Sequence, residues 1–338
     1  MANVTNRVVN EAVVEEVERT KWKRVGLTLV KDWRLYVLLV PMLLFLVLFK
    51  YLPVYGVLQA FKFGDTGTVM EYDWYGLRYF KMLVTGNQSA EFFQAFRNTF
   101  VNSMYGLIFG FPIPIFLALL FSEVKNQKYR SVLQVCSYLP KFISTVVVTT
   151  IVIRWCYRGD ANQGFAPGLL ASLFQSWGWT DASQYIIDVP RFFRPIYQIT
   201  GIWEGAGYGS IVYFAAIMAI SPTNYEAAKI DGASKLQQIR YVTLPCMAPT
   251  LSIMLIMRIG QILNIGYEKI ILLWQGDGTN NTLETADVIS TFVYRYRSSG
   301  GGMQSAAVAG DLFNSIISMI LVLGANAISK RVSDTALF

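Results

Sequence analysis

Six apolar stretches follow one another along the 338-residue chain, and each is long enough to cross a lipid bilayer. A spanning helix needs about 20 mainly apolar residues because the hydrocarbon core is about 30 Å thick. The stretches cover residues 35–61, 99–121, 133–153, 196–220, 247–273 and 306–328. Prolines interrupt the second and third stretches, and membrane helices tolerate them. The pattern predicts an all-α polytopic membrane protein with about six transmembrane helices.

Basic residues indicate how these spans are oriented. Lysine and arginine are dense in the leader at 1–34, in the short loops after the second and fourth spans, and in the tail at 329–338. Cytoplasmic loops are enriched in these residues, so both termini and the loop at 221–246 are predicted to be cytoplasmic, around a membrane domain at 35–328. The leader is predicted to be an amphipathic helix on the inner leaflet, with a partly ordered tail as the alternative.

Composition narrows the class of protein further. The chain is 54% hydrophobic and only 15% charged, whereas an average soluble protein is about 25% charged. It has no histidine and three scattered cysteines, so no metal-ligand or general-base constellation is visible. No nucleotide-binding P-loop motif is present, so any ATP hydrolysis would require another chain. The net charge of +7 is explained by topology and by contact with anionic membrane lipid, not by nucleic acid.

The loop at 221–246 carries the strongest local signals. Thr223 and Glu226 have capping-box spacing, which predicts that a helix begins there. Gly232 can adopt the left-handed conformation that ends a helix, and Ser234 starts a second short one. Pro245 can open the fifth span at a first-turn position. Two helices this short are marginal in water and need a partner to dock against, the alternative being a hairpin that lies on the membrane.

The residues of this loop also resemble a known family. The blocks Glu226-Ala227-Ala228, Asp231-Gly232-Ala233 and Leu244-Pro245 are similar to the signature of binding-protein-dependent ABC importer permeases. The sequence departs from that signature at Val242, where isoleucine is usual. Residues 74–80 and 96–99 resemble an outer loop of carbohydrate-type permeases. Residues 138–144, 286–294 and 333–338 resemble the LplB-type subgroup, which handles oligosaccharides.

The resemblance implies a fold, a function and a set of partners. It implies the type I ABC importer permease fold and a non-enzymatic pore subunit in a bacterial plasma membrane that moves an oligosaccharide or related sugar into the cytoplasm. It implies a heterodimer with a second, homologous permease, two ATPase subunits that bind ATP and Mg, and an extracytoplasmic solute-binding protein, with no cofactor bound by this chain. The residues it assigns to ATPase coupling are Tyr225, Glu226, Ala227, Ala228, Ile230, Asp231, Gly232, Leu244 and Pro245. A structural or assembly subunit, or a component of a secondary transporter without ATPase coupling, is the alternative.

Polar side chains within the predicted spans are candidates for the substrate path, because such groups are costly at membrane depth. These candidates are Trp203, Glu204, Tyr208, Gln261, Asn264, Tyr267, Glu268, Asp311 and Asn314. The four at 261, 264, 267 and 268 have helical spacing and are predicted to share one face of the fifth span. Arg258, or alternatively the arginines of the outer loops, offers a contact to an acidic sugar. The alternative for each residue is a hydrogen bond between neighbouring spans.

Overall fold

The computed structural model describes residues 31–63, 73–159, 164–181, 185–274, 283–298 and 303–332. These residues are mainly helical, with one antiparallel strand pair, β1 (Lys62–Phe63) and β2 (Asp73–Trp74). The helices are α1 (Trp33–Leu46), α2 (Arg78–Thr85), α3 (Ser89–Ile108), α4 (Pro112–Glu123), α5 (Gln127–Tyr138), α6 (Thr145–Cys156), α7 (Leu169–Ser176), α8 (Pro190–Met218), α9 (Pro222–Ile230), α10 (Lys235–Gln238), α11 (Leu244–Gly260), α12 (Tyr267–Trp274), α13 (Leu283–Ala286), α14 (Ile289–Ser298) and α15 (Met303–Val332). Most of the leader, residues 1–30, and the end of the tail, 333–338, lie outside the described residues.

The chain divides into two compact units, residues 1–58 and 59–338. Helix α1 begins in the first unit and continues through a π-helical turn and a 3-10 helix, so that the helical run Trp33–Phe61 reaches 29 residues. No residue of α1 is buried, although the helix is almost entirely apolar. That exposure is expected of a helix whose side chains contact lipid on all sides.

The prediction of about six spans is confirmed when each bent helix pair is counted as one span. Four continuous helical runs are long and apolar enough to cross a membrane: Trp33–Phe61, Ser89–Glu123, Lys235–Gly260 and Met303–Lys330. Two further pairs meet the same criterion together. The pair that ends at Phe142 and resumes at Thr145 is bent by 93°, and the pair made of α8 and α9 is bent by 69°.

The expected fifth span at 247–273 is wrong in its extent. The helix ends at Gly260, residues 261–266 are irregular, and α12 begins at Tyr267. Distant side chains satisfy the carbonyl groups that the break exposes. The Ser103 hydroxyl donates to the Ile262 carbonyl, and Asn314 Nδ2 donates to the Leu263 carbonyl at 3.1 Å. Irregular backbone at membrane depth requires internal hydrogen bonds of this kind.

The expected capping box at Thr223 is also wrong. The N-cap of α9 is Ser221, Pro222 takes the first helical position, and the Thr223 hydroxyl bonds to the Ser221 hydroxyl at 2.7 Å. A capping box does form at the second helix, where the side chains of Ser234 and Gln237 bond each other's backbone N–H groups. That helix, α10, continues through a π-helical turn at Ile239–Thr243 into α11, so it is not a separate two-turn helix.

Helix α8 packs closely against α5 at a glycine. A Cβ atom on Gly207 would lie 3.0 Å from the Ser137 Cβ and closer still to the Ser137 carbonyl group. Small residues at a helix contact allow the two backbones to approach each other in this way. The contact fixes α8, which carries several of the candidate substrate-path residues.

Candidate functional site

The hairpin, defined here as residues 221–243, has apolar side chains that the described residues leave exposed. No residue of α9 is buried. Ile230 is 86% exposed and Leu236 is 76% exposed, values far above those of apolar residues in the core of the chain. Exposed apolar groups rimmed by polar residues are typical of protein–protein or membrane contacts.

Gly232 ends α9 in the predicted left-handed conformation, with φ of +77°. The Ala233 N–H bonds to the Ala228 carbonyl at 2.9 Å, and the Gly232 N–H bonds to the Lys229 carbonyl at 3.0 Å. These two bonds together define a Schellman motif, which satisfies carbonyl groups at the helix end. The angle between α9 and α10 is therefore set by the backbone of a residue that has no side chain.

Two side-chain contacts stabilise the hairpin internally, and one ion pair joins it to α4. The Tyr225 hydroxyl lies 3.1 Å from Thr243 Oγ1, and Lys235 Nζ lies 2.8 Å from a carboxylate oxygen of Glu123, at the end of α4. Gln238 Nε2 donates to the Ala233 carbonyl at 3.0 Å. Tyr225 is half-buried by this contact, so its hydroxyl is engaged within the chain.

The acidic residues of the hairpin are not engaged in the same way. Glu226 and Asp231 are exposed, and neither side chain makes a hydrogen bond or an ion pair within the part of the chain that the structure describes. The alanines between them, 227 and 228, add little bulk to the helix surface. Leu244 and Pro245 lie after the π-helical turn, in the first turn of α11.

A cavity of about 720 Å³ lies between α3, α4, α8, α11 and α12. Glycines of these helices form part of its wall, which leaves room and exposes backbone. Its polar wall is made by Lys141, Gln198, Arg258, Gln261 and Lys269. A smaller cavity of about 200 Å³ shares Gln198, Arg258 and Gln261 with it. The combined space is within the range of small-molecule sites, roughly 300–1,000 Å³.

A buried ion pair connects α8 with α12 beside this cavity. Lys269 Nζ lies 3.0 Å from Glu204 Oε2, and each side chain is only 13% exposed. The same ammonium group lies 5.7 Å from the centroid of the Tyr197 ring. Glu204, a predicted path residue, is therefore committed to a partner that was not among the predicted residues.

The structure brings some of the predicted path residues together and separates others. Gln261 lines both cavities, and Asn264 lines the smaller one and donates to Gln261 Oε1 at 3.2 Å. Asn314 is 4% exposed and donates a hydrogen bond to the irregular segment after Gly260, so its side chain connects α15 to that segment. The remaining candidates are exposed and line none of the described cavities: Trp203, Tyr208, Tyr267, Glu268 and Asp311.

The predicted shared face of residues 261, 264, 267 and 268 is wrong. The helix ends before Gln261, and Tyr267 starts a new one, so helical spacing does not apply across this segment. Tyr267 stacks instead on Tyr294, with ring centroids 5.2 Å apart.

Sequence reasoning missed three cavity residues, Lys141, Gln198 and Lys269. Lys141 interrupts an apolar run after a proline, and Gln198 is a polar residue in the fourth predicted span, so both carried the signal used for the other candidates. Lys269 lay beside Glu268 in a stretch that was expected to be membrane helix.

A second polar cluster forms where Asn98 of α3 and Arg194 of α8 meet the segment that joins α13 to α14. Asn98 is 2% exposed, donates to the Asp287 carbonyl at 2.9 Å and accepts from Arg194 Nη2 at 2.8 Å. The Asp287 carboxylate accepts from Thr291 Oγ1 at 2.7 Å and pairs with Arg295. Burial raises the pKa of the Asp287 carboxyl, against the opposing effects of Arg295 and Thr291. The cluster fixes the segment at 286–294 that resembles the LplB-type subgroup.

The family of the chain follows from residues 110–334, which match the model described as "Binding-protein-dependent transport system inner membrane component". The chain belongs to this family. It is a multi-pass membrane protein and a transmembrane pore subunit of a binding-protein-dependent importer, and its relatives are permease subunits, not enzymes. The resemblance seen in the hairpin is thereby confirmed.

Individual relatives match over nearly their whole length. Protein LplB of Bacillus subtilis (strain 168) is 34% identical over 310 residues, covering 91% of this chain and 92% of that protein. The polygalacturonan/rhamnogalacturonan transport system permease protein YteP of the same organism is 32% identical over 323 residues, covering 95% of each. A chain of a bacterial ABC transporter involved in the import of the acidic polysaccharide alginate is 38% identical with a TM-score of 0.78, covering 92% of this chain and 99% of that chain. A chain of a bacterial alginate ABC transporter in complex with an alginate pentasaccharide-bound periplasmic protein is 38% identical with a TM-score of 0.76, covering 92% of this chain and 98% of that chain.

Proposed function

We propose that this chain is one of two homologous permease subunits in an ABC importer for oligosaccharides. A solute-binding protein delivers the sugar from outside, two ATPase subunits that bind ATP and Mg act from the cytoplasm, and both termini of this chain face the cytoplasm. Relatives whose names specify polysaccharide transport support the substrate class. The density of basic residues beside alternate spans supports the orientation.

The observation that carries the proposal is the exposed hairpin with a fixed geometry. Helix α9 has nine residues, too few to be stable alone in water. Its Schellman motif and its contact to Thr243 hold it in place, while Ile230 is left 86% exposed. A fixed surface with small, apolar and acidic residues is suited to insertion into a cleft of a cytoplasmic partner.

The hairpin explains how ATP use by separate subunits can drive transport through a chain whose sequence contains no P-loop motif. Each state of the ATPase dimer would favour one geometry of the pore through different contacts with the hairpin. By thermodynamic linkage, a pore state favoured by the loaded solute-binding protein would in turn favour one ATPase state. The residues that carry this coupling are those of the family signature, Glu226 to Gly232, with Ile230 as the apolar anchor.

The test compares two glycines that have the same local backbone. Gly178 ends α7 at φ of +70°, with Trp179 N–H to Phe174 carbonyl and Gly178 N–H to Gln175 carbonyl bonds, the same Schellman motif as at Gly232. No atom lies within 4 Å of a Cβ placed on either glycine. Valine strains both turns by roughly 1–2 kcal/mol or more, since left-handed geometry disfavours side chains.

In the reconstituted complex, Gly232→Val should reduce ATP hydrolysis stimulated by the loaded solute-binding protein about tenfold or more, whereas Gly178→Val should leave it near the wild-type rate. Glu226→Lys should have the effect of Gly232→Val while the chain still folds, because the exposed Glu226 side chain makes no hydrogen bond or ion pair within the described residues. Full coupling in both Gly232→Val and Glu226→Lys would contradict the docking role of the hairpin.

A further inference from the structure

The charges around the large cavity do not balance. Lys141, Arg258 and Lys269 line it, and Glu204 is the carboxylate that reaches one of them. Glu204 forms an ion pair with Lys269, with Oε2 and Nζ 3.0 Å apart. Lys141 and Arg258 have no ion pair or side-chain hydrogen bond to another residue in the described ranges. The polar wall therefore carries two cations that no side chain in the described part of the protein neutralises.

Arg258 occupies the central position among these groups. It lies in the last turn of α11, two residues before the helix ends at Gly260, and it lines both cavities. Its Nη2 atom lies 3.7 Å from the Cβ positions of Gly106 and Gly110, so the guanidinium faces a wall without side chains. A bulkier residue at either position would take up the space in front of it.

An arginine within a membrane span is costly unless it meets water or an anion. Its guanidinium presents a planar set of donors that matches a carboxylate through two parallel hydrogen bonds. No carboxylate of the described residues pairs with Arg258, whereas Lys269 is paired with Glu204. The arrangement leaves one well-placed anion site open to a ligand that enters the cavity.

We propose that this cavity binds acidic oligosaccharides, with Arg258 bonding a uronate carboxylate and selecting acidic over neutral sugars. This inference rests on the proposed function in oligosaccharide import. The amides of Gln198 and Gln261 flank Arg258 in both cavities and provide donors and acceptors for sugar hydroxyls. Lys269 does not compete for the carboxylate because Glu204 neutralises it.

The experiment measures equilibrium binding to the whole permease and ATPase complex in phosphatidylcholine nanodiscs, without the solute-binding protein. The probes are trigalacturonate and its fully methyl-esterified form, which have the same skeleton and differ in charge. The wild-type complex should bind the acid about tenfold or more tightly than the ester, and the preference should fall as salt rises. Nanodiscs with added phosphatidylglycerol distinguish the other source of an anion, since a lipid phosphate bound at Arg258 would compete with the acid.

Variants of Arg258 and Glu204 test which residues produce the preference for the acid over the ester. Arg258→Gln should lower the affinity for the acid about 10- to 100-fold, the scale of hydrogen bonding to a charged group, and lower the affinity for the ester far less, so that the preference disappears. Arg258→Lys should restore part of it, since it keeps the charge without the planar donor set. Glu204→Gln should increase affinity for the acid because it releases Lys269.

The inference is overturned if the wild-type complex binds acid and ester equally, if it binds neither, if Arg258→Gln keeps the preference, or if phosphatidylglycerol abolishes acid binding. Its failure is distinguishable from failure of the proposed function. ATPase coupling that depends on Gly232 would still support an importer permease, even when the sugar it carries is neutral.

Discussion

The contact between Gly207 and Ser137 offers a direct test of how α8 is held. Any residue with a Cβ at 207 would have to displace the backbone of α5. That Cβ would lie 3.0 Å from the Ser137 Cβ and closer still to the Ser137 carbonyl group. Real Cβ atoms essentially never approach other atoms more closely than that. Gly207→Ala therefore forces the two helices apart.

The expected cost can be placed on a scale. Overpacking a tight contact costs typically about 1–3 kcal/mol, and a backbone obstacle belongs at the upper end because it cannot rotate away. Against this, replacing glycine by alanine within a helix gains up to about 1 kcal/mol. The net loss should be about 2 kcal/mol in the free energy of unfolding, measured by thermal unfolding of the purified chain in detergent.

Gly205 provides the matched control, two residues away in the same helix. A Cβ there would meet no atom within 4 Å, so Gly205→Ala should keep the helix-propensity gain without the clash. Equal stability of Gly205→Ala and Gly207→Ala would refute the close approach of α5 and α8 as the structure has it.

Two further predictions concern buried charges. Lys269→Met should lower the free energy of unfolding by about 3–5 kcal/mol, since it leaves the Glu204 charge unpaired. In a double-mutant cycle, adding Glu204→Leu should recover most of that loss, and additive losses would disprove the pairing. Asp287 should give a pH dependence in acid: its folded pKa lies above the ordinary value of 3.8, so its stabilising contribution is fully present below about pH 3.8 and is lost as pH rises through the folded pKa. Asp287→Asn should flatten that part of the stability profile in thermal unfolding, and an unchanged slope would assign it to another group.

Local sequence was sufficient for the long spans and failed where distant contacts determine the backbone. Residues 261–266 contain apolar side chains at Ile262, Leu263 and Ile265, so hydropathy continues through a segment in which the helix has ended. The break is stabilised by Ser103 and Asn314, which are 159 and 51 positions away in the chain. The N-cap at Ser221 was readable, because a proline at the first helical position is a common start signal.

The candidate site divides in the same way. The first helix of the hairpin and its end at Gly232 could be predicted because those signals are local, whereas the N-cap at Ser221 and the continuation of the second helix into α11 were missed. The cavity could not, since Glu204 and Lys269 are 65 positions apart and meet only when α8 and α12 pack. Residue type identified Arg258 and Gln261 as candidates, but spacing alone did not show that they face the same cavity as Gln198.

The continuity of the helix from Lys235 to Gly260 has a mechanical consequence. Its first turn belongs to the hairpin, and Arg258 lies 23 residues further along, roughly 35 Å at 1.5 Å per residue. A rotation applied to the hairpin by a cytoplasmic partner would therefore turn the guanidinium about the same axis, until the irregular segment after Gly260 absorbs the motion. The affinity of the cavity for an anion and the position of the hairpin would then both depend on the rotation angle of this one helix.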